Sequence, residues 1–359
     1  MSPAENDETL IVRREGRIGR LVLNRPRQIN SLTYEMVQGI DRALADWAQD
    51  DAVDAVLITG NGERGLCAGG DIRAVYEDAR SGRTDALTFW REEYLLNSRI
   101  ATYPKPYIAL MDGITMGGGV GVSAHGSVRI VTERSKVALP EVCIGLVPDV
   151  GGTYLLSRAP GELGTHLAVT GDTFGAADAL LCGLADCFVP SEQLERLVAD
   201  LVAADAATAP DVAEIVARHA VPAPEGELAG QREWIDACYR ADTVEQILER
   251  LAAVDAPAAK EAADRIRGNS PTTVKVTLRA VRQARELGTL DEVLRQEFRI
   301  SCAGHSSPDL IEGIRAQIID KDRRPRWSPS ALEHVGAEDV ERFFAPLGDD
   351  ELVFPAAWA

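Results

Sequence analysis

Two glycine runs carry the first chemical signal in this sequence, Gly65-Leu66-Cys67-Ala68-Gly69-Gly70-Asp71 and Gly117-Gly118-Gly119. Each follows a short apolar segment, Ala55–Thr59 for the first and Tyr107–Met111 for the second. Glycine lets the backbone take dihedrals that other residues avoid, and it lets a ligand come close to the main chain. Two such turns after neighbouring strands can aim two backbone N–H groups at one point, which is the geometry of an oxyanion hole. Tight turns or close helix packing would use the same residues, so neither run decides the matter alone.

A second pattern beside the first run points to a different chemistry. Gly60-Asn61-Gly62-Glu63-Arg64-Gly65 matches G-x-G-x-x-G after a predicted strand. The dinucleotide fingerprint needs a helix to start at these glycines, so that its N-terminus holds the pyrophosphate. Here Leu66-Cys67-Ala68-Gly69-Gly70 intervenes before a helix that begins near Asp71. The acid at roughly the expected distance, Asp85, lies in Ser81-Gly82-Arg83-Thr84-Asp85 and not at a strand end. The pattern therefore speaks against a nicotinamide or flavin site. No Gly-Lys-Ser/Thr occurs, so a phosphate-binding P-loop is not expected either.

The elements that must position these glycines can be read from periodicity. Arg20–Leu23 reads as a strand ended by Asn24-Arg25-Pro26. Thr33 is a natural N-cap for a helix with Met36, Val37, Ile40, Leu44 and Trp47 on one face. Ala55–Thr59 and Tyr107–Met111 are buried strands, with a helical region around Leu87–Ile100 between them. A small-residue helix follows the triple glycine, and Val128–Val131 and Lys136–Leu139 are further strands. This alternation predicts an α/β fold with parallel pairing. From about Gly161 to Ile319 helical periodicity dominates, interrupted by a linker or long loop at Pro222–Gly226. The expected organisation is a disordered tail over residues 1–9, an α/β core over 10–190, a helical region over 191–327 and a C-terminal tail over 328–359.

Composition narrows the function classes. A formal charge of −18 repels nucleic acid and anionic membrane surfaces, so neither is an expected partner. An anionic small molecule needs only a local basic pocket. The apolar runs are strand-sized, so no membrane span is expected. The N-terminus is acidic and unlike a signal peptide, and a cytoplasmic location follows by default. The six cysteines show neither Cys-x-x-Cys nor a zinc-like pairing with histidine, so neither metal nor disulfide is expected. Cys67 reads as buried packing, His125 as structural, and the other histidines carry no pattern.

With these residues in view, the chain resembles the crotonase (enoyl-CoA hydratase/isomerase) superfamily. Leu66–Asp71 is similar to the element that supplies one oxyanion N–H there, and Gly117–Gly119 to the element that supplies the other. Phe89-Trp90-Arg91-Glu92-Glu93-Tyr94, Gly113–Gly121, Pro140–Gly152 and Asp309–Ala316, followed by Asp320-Lys321-Asp322 and Pro325, resemble the 3-hydroxyisobutyryl-CoA hydrolase branch. The resemblance runs from about residue 10 to about residue 327. It implies a spiral of ββα units, a helical C-terminal region, and a thioester oxygen held by Gly70 N–H and Gly118 N–H.

The resemblance also distinguishes reactions. Hydratases of the superfamily use two glutamates, and one matches Glu141. The other position holds Gly121, which cannot handle a proton, so hydration lacks a partner. For the hydrolase branch the resemblance implies Glu141 as nucleophile or general base. It implies Asp149 as the residue that orients a 3-hydroxyl or the attacking water, and Glu93 as a wall of the pocket. Acyl-CoA is the implied substrate, with no separate cofactor and no metal. Arg25, Arg27 and Arg323-Arg324-Pro325-Arg326 are candidates to meet CoA phosphates, though ordinary surface charge reads the same way. An enoyl-CoA hydratase/isomerase is the alternative. The quaternary state stays open between a homo-oligomer and a C-terminal region folded back over the site.

Overall fold

Residues 8–356 are described by the structure, a computed structural model, and they contain nine strands in two sheets. The strands are β1 (Leu10–Glu15), β2 (Ile18–Leu23), β3 (Ala55–Gly60), β4 (Gly65–Cys67), β5 (Tyr107–Met111), β6 (Ile114–Met116), β7 (Val128–Val131), β8 (Lys136–Ala138) and β9 (Cys187–Phe188). The larger sheet has the order β1-β2-β3-β5-β7-β9 and the smaller the order β4-β6-β8. β1 and β2 form an antiparallel hairpin, and the remaining pairs are parallel. Each turn of chain thus gives one strand to each sheet, β3 then β4, β5 then β6, β7 then β8. That is a spiral of ββα turns, as the resemblance implied.

The central strands β3 and β5 of the larger sheet are buried on both faces, which is why they read as unbroken apolar runs. Val56 and Ile58 of β3 face one core with Tyr107, Ala109 and Met111 of β5. Ala55 and Leu57 face a second core with Ile108 and Leu110, closed by Leu197 and Leu201 of helix Leu194–Ala203 and by Val212 and Ile215 of helix Ala209–His219. Each valine, leucine, isoleucine or methionine among them contributes about 1.5–3 kcal/mol when fully buried.

Helix α1 (Tyr34–Gln49) starts where Thr33 predicts it. The Thr33 hydroxyl accepts from Met36 N at 3.3 Å, and Met36, Val37, Ile40, Leu44 and Trp47 are buried. Helices α2 (Ile72–Ser81) and α3 (Asp85–Ala101) follow β4. α4 (Gly118–Gly121) is the short small-residue helix after the triple glycine. No helix starts at Gly60–Gly65, so the dinucleotide geometry is absent there.

Several expectations need correction. β4 and β6 were not read as strands, yet they pair in parallel, Gly65 with Ile114 and Cys67 with Thr115. Three-residue strands flanked by glycine carry no periodicity to read. β1 was missed because it is an edge strand whose side chains are half-buried or exposed. The disordered tail expected over residues 1–9 lies outside the described residues at 1–7. Glu8 and Thr9 are held, their carbonyls accepting from Asn24 Nδ2 and N at 2.7 and 2.8 Å.

C-terminal helices close over the spiral. Helix Leu290–His305 packs against α3, and a π-helical turn, Arg315–Ile319, ends the preceding helical run. Beyond residue 328 the chain stays attached, with Phe343, Phe344 and Leu352 buried and Arg299 paired with Glu351. Among the described residues no helix is long and apolar enough to cross a membrane.

Candidate active site

The backbone of the two glycine runs is aimed by strand pairing. Past β4 the chain stays extended beside Leu32, which donates to Gly69 O at 2.8 Å and accepts from Asp71 N at 2.9 Å. Alternation along an extended segment then turns Gly70 N–H to the other side. Past β6, Gly117 N donates to Ala138 O at 3.2 Å and the backbone turns at φ 50°, ψ −123°, a conformation that L side chains resist. Gly118 thereby becomes the first helical residue of α4, where N–H groups have no partner within the helix. Neither Gly70 N–H nor Gly118 N–H donates to an acceptor among the described residues. The two positions are close, since a Cβ built on Gly118 would lie 3.4 Å from Gly70 N.

These glycines open onto a cavity of about 320 Å³ that is also lined by Glu93, Glu141 and Asp149. All five residues expected to form the site therefore share one space. Its size is at the small end for ligand pockets, which suits a short acyl chain. Val75, Phe89, Trp90, Leu146 and Val150 give it an apolar wall, and Gln317 and Ile318 of the π-helical turn close one side. That contribution comes from far along the chain, and no local signal announces it.

The three carboxyls are buried, at 2, 7 and 5 % exposure for Glu93, Glu141 and Asp149, and none forms an ion pair with a cation among the described residues. Glu93 is thus a site wall and not a solvated helix face. Glu93 Oε1 and Glu141 Oε2 have no hydrogen-bond partner among the described residues. Burial, then the charge of Asp149, raises both groups well above the ordinary carboxylate range. Asp149 is pushed up to about 6 by burial, while a hydrogen bond from Tyr94 pulls the other way. Like charges in a dry site resist joint ionisation.

The loop carrying Asp149 is held by residues that sequence reading did not assign. Val150 sits at φ 54° and Gly151 at φ 78°. A positive φ on a β-branched residue costs about 1–3 kcal/mol and persists only where the surroundings enforce it. Here His125 Nε2 meets Val150 O at 2.8 Å, and Glu297 accepts from Gly151 N at 2.7 Å, Thr153 N at 2.9 Å and the Thr153 hydroxyl at 2.5 Å. Burial pushes Glu297 up to about 8 and lowers His125 to about 4. His125 is structural, as expected, and neutral. Cys67 is fully buried and its thiol is pushed up to about 12 by burial, so it stays protonated and is no nucleophile.

Gly121, where a hydratase would carry its second glutamate, is walled in. A Cβ there would meet Val150 Cβ at 2.8 Å and Asn97 Nδ2 at 2.9 Å. Gly121→Glu should therefore fail to create hydration of crotonyl-CoA, and should lower the melting temperature, since overpacking costs about 1–3 kcal/mol. Thermal unfolding and enoyl absorbance check both halves; a gain of hydration would show that the wall yields.

The spiral of parallel ββα turns, with paired glycine N–H groups over a carboxyl-lined cavity, defines a class, and the chain belongs to the enoyl-CoA hydratase/isomerase family, whose family model matches residues 18–344. It is similar to "3-hydroxyisobutyryl-CoA hydrolase, mitochondrial" of Rattus norvegicus, with 41% identity over 359 residues, 99% of this chain and 93% of the relative. The relative of the same name in Homo sapiens is 40% identical, with 97% and 91% covered. Among solved structures it is similar to a carnitinyl-CoA dehydratase from Mycobacterium thermoresistibile, at 52% identity, TM-score 0.93, and 98% and 100% coverage. It is also similar to an enoyl-CoA hydratase from Rhodobacter sphaeroides 2.4.1, at 42% identity, TM-score 0.90, and 97% and 100% coverage. One fold thus carries both hydrolase and hydratase names, and the site must discriminate between them.

Proposed function

We propose that this protein hydrolyses the thioester of 3-hydroxyisobutyryl-CoA, and of 3-hydroxypropionyl-CoA, to the free hydroxy acid and coenzyme A. The observation that carries the reading is the carboxyl arrangement. Glu141 and Asp149 line the cavity beside the glycine N–H pair, whereas the second glutamate of a hydratase has no room at Gly121.

In this reading the thioester oxygen lies between Gly70 N–H and Gly118 N–H. Each such donor lowers the barrier by about 2.7–4 kcal/mol, because negative charge grows on that oxygen. Glu141, once it has lost its proton, attacks the carbonyl to give a mixed anhydride or takes a proton from the attacking water. Asp149 orients the 3-hydroxyl or that water, and Glu93 shapes the acyl end. Coenzyme A leaves as a thiolate, which is feasible because a thiol is far more acidic than an alcohol. No separate cofactor or metal enters the scheme. Arg323, Arg324 and Arg326 are exposed a few residues past Gln317 and Ile318, which suits contact with CoA phosphates. Arg25 suits it less, because Asp71 and Ser31 already hold its guanidinium.

One methyl separates the two acyl chains and is worth only about 1–3 kcal/mol, so both should be substrates. Valine breakdown is the pathway this activity fits. A cytoplasmic location is part of the proposal, while the similar vertebrate proteins are named mitochondrial.

The alternative is an enoyl-CoA hydratase/isomerase, favoured by the similarity to a carnitinyl-CoA dehydratase and an enoyl-CoA hydratase. Free-thiol release measured with 3-hydroxyisobutyryl-CoA, acetyl-CoA and crotonyl-CoA separates the readings. Fast release from the hydroxyacyl substrate alone is expected. Consumption of crotonyl-CoA without thiol release would establish the alternative.

A further inference from the structure

Tyr94 lies on α3 directly after Glu93, yet it points to the other side of the cavity wall. Its hydroxyl donates to Asp149 Oδ2 at 2.5 Å and lies 2.8 Å from Ser301 Oγ. Tyr94 is fully buried, and its ring meets Phe298 edge-on at 6.1 Å. A phenol has one proton, and it is donated in the hydrogen bond to Asp149. Ser301 must therefore donate to the phenol oxygen. The order is Ser301 to Tyr94 to Asp149, and every bond points toward the carboxyl.

We propose that Tyr94, backed by Ser301, is a positioning residue that fixes Asp149 as the acceptor for a hydroxyl on the acyl chain. This rests on the hydroxyacyl-CoA reading above and names what gives that site its preference for a hydroxylated chain.

The surroundings say why a donor is needed. The titratable groups around Asp149 are Glu93 and Tyr94 from α3, Glu141 from the segment after β8, Glu297 from helix Leu290–His305, and His125 behind Val150. Burial favours the neutral form of His125, and no other cationic side chain among the described residues pairs with Asp149. Among the three cavity carboxyls, only that of Asp149 receives a side-chain hydrogen bond. Burial, then Asp149 itself, raises the phenol well above its usual range, so the proton stays on Tyr94. The hydrogen bond from Tyr94 thereby favours the ionised form of Asp149, a bond that neither neighbouring carboxyl receives. A charged acceptor binds a hydroxyl more strongly than a neutral acid does. Helix Leu290–His305 supplies both the Ser301 end of this chain and the Glu297 clamp on Gly151 and Thr153, so Asp149 is fixed from its side chain and from its backbone.

The test is Tyr94→Phe, which keeps the ring against Phe298, with Ser301→Ala beside it. Two readouts are taken. The first is the ratio of kcat/KM for 3-hydroxyisobutyryl-CoA to that for isobutyryl-CoA, followed with pH. A hydrogen bond to a charged group is worth about tenfold or more, so the ratio should fall roughly tenfold at neutral pH in Tyr94→Phe. It should recover as pH rises, because Asp149 without its donor keeps its proton to higher pH. The second readout needs no turnover. The carboxyl titration of Asp149, followed by ¹³C NMR in aspartate-labelled protein and assigned by its loss in Asp149→Asn, should move upward in Tyr94→Phe and less far in Ser301→Ala. An unmoved Asp149 titration overturns the proposal whatever the kinetics. A moved titration with an unchanged hydroxyl preference overturns the link to specificity. If the wild type releases no thiol from any hydroxyacyl-CoA, the hydrolase reading fails while the titration still decides the role of Tyr94.

Discussion

Replacing Glu141 with glutamine should slow thiol release from 3-hydroxyisobutyryl-CoA by roughly 10²–10⁴-fold in kcat, with KM nearly unchanged. Glutamine keeps the shape of the side chain and removes only its capacity to attack or to take a proton. Glu141 Oε2 has no hydrogen-bond partner among the described residues to lose, so the variant should fold. The pH dependence has a definite sign. Burial and Asp149 hold the Glu141 carboxyl well above the ordinary range. The acid limb of kcat/KM should therefore lie above that of a solvated glutamate, with activity lost as pH falls through it. Asp149→Asn removes the neighbouring charge but not the burial, so the limb should move toward lower pH by only part of the displacement. Steady-state rates across pH 4–9 with both variants test this. A Glu141→Gln enzyme within tenfold of wild type would assign the chemistry to another group.

The second large effect is expected at Gly118. A methyl group there would lie 2.4 Å from Glu93 Oε1 and 3.1 Å from Leu32 Cδ1, beside the Gly70 N–H. It would enter the space meant for the thioester oxygen and push against a buried carboxyl. Gly118→Ala should lower kcat by about 10²–10³-fold, the range for losing one oxyanion donor. It should also weaken binding of an acyl-CoA analogue whose carbonyl is replaced by a methylene far less than it weakens binding of the thioester. Gly230→Ala is the control. Gly230 is exposed on helix Leu228–Tyr239 with nothing within 4 Å of an added Cβ, and alanine suits a helix better than glycine. A Gly118→Ala enzyme with full kcat would mean that the oxygen sits elsewhere.

The elements with strong periodicity were legible in the sequence because burial wrote them there. The stripe from Met36 to Trp47 and the apolar runs at Ala55–Thr59 and Tyr107–Met111 can lower their free energy in few ways other than the ones observed. The expected helical region around Leu87–Ile100 appears as Asp85–Ala101, and Val128–Val131 as the strand with the same bounds. The triple glycine and the family resemblance pointed to the oxyanion backbone and to Glu141, Asp149 and Glu93, and the tertiary structure brings all of them to one cavity. The resemblance to the hydrolase branch agrees with the full-length similarity to proteins of that name.

What the sequence alone determined is therefore the local grammar: which segments must be buried, where glycine is required, and, through the resemblance, which carboxyls to expect beside those glycines. What only the tertiary structure decided depends on contacts between distant segments. The smaller sheet exists because Gly65–Cys67 and Ile114–Met116 find each other and then Lys136–Ala138, and strands so short have no pattern of their own. Gly121 proves to be sealed by Asn97 and Val150, which turns a missing glutamate into a position where none fits. Tyr94 reaches Asp149 from 55 residues away along the chain, Glu297 reaches Gly151 from 146 away, and Ser301 backs Tyr94. A burial pattern is a property of one segment and is recorded in its composition. A hydrogen bond between segments is a property of two, and neither segment records it alone.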